Sequence, residues 1–199
     1  MSDRIPYHPR EDLPREQQEF HDYFHKTVSR NAPHPGASER AGKTLFPFLS
    51  VLPKIGKMQV DLMAQLENEA PSLPPNARET ASLVVVTYFK AAFVTAIHKM
   101  NAVKLELLTQ AQADAITSGT KPEDLNAECN LAYDTAKYLL EVRGALPQGL
   151  WDRCVEAFEK EGTVALVHLV ALMSWTAIGM NAADVPPPKP PAKKAGEEK

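Results

Sequence analysis

The run Leu83-Val84-Val85-Val86-Thr87-Tyr88-Phe89-Lys90-Ala91-Ala92-Phe93-Val94-Thr95-Ala96-Ile97 decides the fold. A surface helix needs a polar stripe, and this stretch has none, with Lys90 its only charge. It reads as the middle of a central helix over 78–104, introduced by Pro74-Pro75-Asn76. The β-branched Val84-Val85-Val86 could instead open a strand, but the long context without turn residues favours helix.

Working outward, the flanks repeat the helical pattern. Pro14 starts a short helix to about Thr27, with Phe20 and Phe24 on one face, and Arg30 to Lys43 reads as a loop. Ser50 is placed to cap a second helix, with Pro53 in its first turn and Met58, Leu62 and Leu66 on its inner stripe. Thr109 caps a short helix ending before Gly119, and Asn126 begins another that runs to Arg143 with Gly144 as its stop. Pro147 opens a helix ending at Gly162, and Thr163 caps the last one, to about Asn181. That last segment, from Val164 through Met173 and Trp175 to Ile178, is again apolar on most faces. Two such helices call for mutual burial, subunit contact or both, which predicts a homo-oligomer.

Composition sets the bounds. With 199 residues, 44% hydrophobic and 24% charged, the chain suits one globular domain, over 1–186. The Pro/Lys-rich 187–199 reads as a disordered tail. A net charge of -3 gives no global attraction to nucleic acid. No uninterrupted apolar run reaches the length of a membrane span, and Met1-Ser2-Asp3-Arg4-Ile5-Pro6 lacks the apolar core of a secretory leader. Cys129 and Cys154, the only cysteines, fall in separate predicted helices. The expectation is a cytoplasmic protein.

Two local strings fail as motifs. Gly42-Lys43-Thr44 resembles the end of a phosphate-binding loop, but the required first glycine falls on Ala37 and no strand precedes it. His21 and His25 share a helical face, yet a zinc hydrolase wants a glutamate where Asp22 is a methylene short, and a third ligand downstream, so a solvated histidine pair is the favoured reading. No metal or cofactor is expected.

Arg78-Glu79 opening the long helix, His98 within it, Leu108-Thr109-Gln110, Ala132-Tyr133-Asp134 and the closing Leu166-Val167-His168-Leu169-Val170 … Asn181-Ala182-Ala183-Asp184-Val185-Pro186 form a pattern. So do Arg4-Ile5-Pro6 and Phe46-Pro47-Phe48-Leu49. Together they resemble the carboxymuconolactone decarboxylase (AhpD-like) family, whose members are all-α and assemble as trimers or hexamers. The resemblance implies one of two chemistries. In the peroxidase type, a Cys-x-x-Cys pair precedes a histidine; carried through His98, those positions are Ala91 and Val94. Neither forms a thiolate, so peroxidase activity is not expected. In the decarboxylase type, a Tyr-Glu-Trp-x-x-His pattern becomes Phe93-Val94-Thr95-Ala96-Ile97-His98, keeping the histidine and losing the acid to Val94.

On one helix, Val84, Tyr88, Ala91, Val94 or Thr95, and His98 would share a strip, with room between the tips of Tyr88 and His98 for a small organic molecule. Equally, both side chains could be buried or interfacial and satisfied by backbone partners. The catalytic candidates are therefore His98, with Tyr88 and His168 as helpers. Lys90 and Lys99 fall off the strip. Two functions remain open: a cofactor-independent lyase or isomerase acting on a small enolisable acid or lactone through His98, or a non-catalytic helical oligomer retained for binding or support. A cavity reaching His98 would favour the enzyme; a filled core would favour support.

Overall fold

All-helical structure holds across residues 4–31, 36–142 and 144–188, the part that the computed structural model describes. Most of the expected tail, from residue 189 onward, lies outside it. The order is α1 (Arg15–Asn31), α2 (Ala37–Ser50), α3 (Pro53–Asn68), α4 (Pro75–Tyr88), α5 (Ala92–Lys104), α6 (Gln110–Thr117), α7 (Ala127–Glu141) and α8 (Gln148–Ala182), preceded by a 3-10 turn over Arg10–Asp12. No strand occurs among the described residues.

The apolar run does sit at the centre. Leu83, Val85 and Val86 are fully buried, and α4 packs on α5, α6, α7 and α8. A smaller cluster at the N-terminal end holds α1 to α2 and α3, with Phe20 stacked on Phe46 at 5.5 Å and edge-on to Phe24 at 6.1 Å.

The single helix expected over 78–104 is two. At its end Lys90 adopts φ 52°, its N–H donating to Thr87 O and that of Ala91 to Val86 O. This pair of bonds closes a helix with a left-handed residue, a place usually given to glycine. Glu106 (φ 55°) ends α5 and Asp184 (φ 54°) ends α8 by the same pair of bonds; only Gly119, after α6, shows the stop in its sequence.

Other boundaries differ too. α1 runs to Asn31 and α2 begins at Ala37, so the expected loop is largely helix, and residues 32–35 lie outside the described part. Ser50 ends α2, its hydroxyl donating to Pro47 O, instead of capping α3. Met58 is 69% exposed; Gln59, Val60 and Ala64 take the inner face of α3. Thr109 and Asn126 cap as expected, Thr109 in a reciprocal box with Gln112. α7 stops at Glu141, before Gly144. Thr163 is buried inside α8 and donates to Glu159 O, so it caps nothing; the discontinuity falls at Glu159, with φ 58°.

By length and composition α8 could cross a membrane: its most apolar window has a mean hydropathy of 1.7. Just over half of that window, 56%, is buried inside the protein, as befits a core helix packed on α3, α4, α5 and α7. Its end is tied down, Asn181 Nδ2 donating to Phe89 O at 2.7 Å and Arg4 Nη1 to Ala182 O at 2.9 Å.

Candidate functional site

The first two turns of α4 supply Arg78 and Glu79, and Ser82 follows; α5 supplies His98 and Asn101, three residues apart and so on one face. All five line one cavity of about 620 Å³. Its wall is completed by Met63 and Leu66 of α3 and by Leu169, Leu172 and Met173 of α8, with Arg30 at the edge. The small number of polar groups against an apolar wall is the usual make-up of a small-molecule site.

The centre of this cluster is an acid–imidazole pair. His98 Nδ1 lies 2.9 Å from Glu79 Oε1, with the side chains 22% and 14% exposed. A carboxylate only accepts, so Nδ1 carries the proton, and Nε2 is left as the reactive nitrogen. Burial favours the neutral ring, but the charge and hydrogen bond of Glu79 outweigh it and raise the pKa above the usual 6.5. The apolar neighbourhood, from Ala91 to Ile97, would by itself disfavour the imidazolium, and an acid from another helix overrides it.

Glu79 was visible only as a landmark, because nineteen residues and a chain reversal separate it from His98. No helical periodicity links the two. The carboxylate beside His98 thus comes from α4, while Val94 and Ala91 are buried at 5% and 1% exposure. Asn101 contributes a buried Oδ1 with no partner among the described residues.

The other candidates lie apart. Because α4 ends at Tyr88, the shared strip does not exist. Tyr88, 48% exposed, lines a different pocket with Thr87, Lys90, Tyr133 and Lys137. His168, on the outer side of α8, borders a groove against α3 with Leu62, Glu69 and Lys160. His98, Tyr88 and His168 therefore stand on three separate hollows of the one chain. Lys99 bridges α5 to α6 through Asp114 at 2.5 Å.

His21 and His25, rings 4.3 Å apart, help pack α1 on α2: His25 Nδ1 is 2.6 Å from Ser38 Oγ, its ring fills the space beside Gly42, and Asp22 is held by Arg10 at 2.6 Å. Among the described residues no third histidine, cysteine or acid joins the two histidines to form a metal set. Cys129 and Cys154 are free and buried, the latter 3.2 Å from Thr135 Oγ1; burial pushes both thiols up. Compared with protein-family models and with curated proteins, the chain matches none of either.

Proposed function

We propose that this chain is a cofactor-independent lyase or isomerase acting on a small, enolisable carboxylated or lactone-like metabolite, with His98 as general acid and base. The observation that carries the reading is the His98–Glu79 pair on the wall of a 620 Å³ cavity. Glu79 fixes the tautomer and orientation of the ring and stabilises the imidazolium, as a carboxylate does behind a catalytic histidine. Arg78 and Arg30 supply positive charge for a substrate carboxylate. In isomerisation, Nε2 takes a proton from the carbon next to a carbonyl and returns it elsewhere on the enolate. In decarboxylation, the C–C bond to the carboxylate breaks, CO2 departs, the bonding pair stays on the substrate and delocalises into its adjacent carbonyl, and the imidazolium protonates the resulting enolate. The raised pKa of His98 suits this second route, which needs the ring charged at the start. The likeness to the carboxymuconolactone decarboxylase family agrees with this chemistry and with a trimer or hexamer.

A support role in a non-catalytic oligomer is the second reading. It draws on the outer face of α8, where Val164, Val167, Trp175 and Ile178 are 36–54% exposed in one stripe. An enzyme can use the same face to assemble, and the cavity at His98 gives a purely structural member no advantage.

The test is incubation of the full chain with a panel of β-keto and lactone acids, following CO2 release and deuterium uptake from heavy water. On any substrate turned over, His98→Ala should cost about 10²–10⁴ in rate, roughly 3–5 kcal/mol, with the helical signal retained. Full activity in His98→Ala would overturn the assignment.

A further inference from the structure

The opposite face of α4 borders a second pocket, of about 390 Å³, closed by α6 and α7. Two of its lining residues carry hydroxyls that the protein leaves unmatched. Tyr133 is 4% exposed, and its phenol has no hydrogen-bond partner among the described residues. Thr87 Oγ1 is buried and likewise without a partner. Buried polar groups are hydrogen-bonded in the great majority of cases, so the unmatched Thr87 hydroxyl, on the same wall as the Tyr133 phenol, marks a place for a bound group.

The remaining lining residues say what kind. Lys137 is engaged by Glu141 at 2.5 Å, whereas Lys90, held at the pocket edge by its left-handed turn, forms no ion pair among the described residues. An ammonium can only donate, so the ligand's polar end must accept. Thr117, Ser118 and Gly119 bring the negative carbonyl end of α6 to the same wall, and Glu141 adds a carboxylate paired with Lys137, so a doubly charged phosphate is opposed and a single negative charge fits only on the Lys90 side. Val84, Ile116 and Leu140 are apolar. We infer that this pocket binds a small organic monocarboxylate, its carboxylate received by Tyr133, Thr87 and Lys90 and its apolar body by Val84, Ile116 and Leu140. Burial holds the Tyr133 phenol protonated, as a donor must be. The site is separate from the His98 cavity and does not depend on the reaction assigned there.

Calorimetric titration of the full chain with benzoate, and with benzamide as the uncharged control, tests this. The expected result is saturable benzoate binding, weaker by about tenfold or more in Tyr133→Phe and in Lys90→Gln, with benzamide at least as much weaker. Thr87→Val keeps the side-chain shape and should also weaken it. His98→Ala and Arg78→Ala should bind benzoate as the native chain does. No saturable binding, or native-like binding by folded Tyr133→Phe, overturns the proposal. Loss in His98→Ala overturns it as well, because it places benzoate in the other cavity.

Discussion

Replacing Glu79 by glutamine keeps the shape and the hydrogen-bonding capacity of the side chain and removes its charge. At an effective dielectric of about 20, unit charges about 4 Å apart attract by about 4 kcal/mol. Burial of the His98 ring opposes this attraction, and the net pKa is raised. With the carboxylate gone, burial acts alone, so the His98 pKa should fall from its raised value and finish below 6.5. The stability consequence follows from linkage. In the native chain the folded pKa exceeds the unfolded one, so the pair's contribution is complete below about pH 6.5 and disappears as pH rises through the folded value. In Glu79→Gln the folded pKa lies below the unfolded one, and folding must instead keep the ring neutral, which costs stability under acid conditions. The difference between the two chains should therefore be largest near pH 5.5 and small near pH 9. Imidazole resonances followed by NMR against pH give the pKa directly, and urea unfolding at the two pH values gives the stability difference. A His98 pKa that does not move, or a destabilisation larger at pH 9 than at pH 5.5, would refute the pairing.

Three further outcomes are expected. Glu106→Gly relieves a left-handed residue at the exposed end of α5 and should raise stability by about 0.5–1 kcal/mol, read from the urea midpoint. Cys129 and Cys154, buried and with raised pKa values, should react with a thiol reagent only slowly until the chain is unfolded; prompt labelling of the folded protein would contradict their placement. The native chain should sediment as an oligomer at micromolar concentration, and Trp175→Glu with Ile178→Glu should shift it toward monomer; a native monomer would remove the subunit role of α8.

What the sequence made legible follows its physics closely. Burial of the apolar core at Leu83–Val86 and the caps at Thr109 and Asn126 were readable because hydropathy and capping chemistry are local. The break after Tyr88 was not, because its stop signal is a lysine in a backbone conformation where sequence reading looks for glycine. That one hidden turn misplaced Tyr88, by extending a strip across it, and concealed Glu79, whose meeting with His98 depends on the chain doubling back. His98 is singled out in the sequence by a resemblance to a family pattern, and the carboxylate beside it is visible only in the tertiary structure.

The turn at Phe89–Ala91 also works as a fulcrum. His98 stands seven residues beyond Ala91, about 10 Å along α5, so a tilt of only about 10° would sweep the ring nearly 2 Å and part it from Glu79. The fulcrum is braced from outside the cavity, by the Asn181 amide on Phe89 O, and the helix end that carries Asn181 is braced in turn by Arg4 on Ala182 O. Two segments near the ends of the described chain thus act as guy-lines on an acid–imidazole pair they never touch. Trimming either end should loosen the alignment of His98 before it melts the core.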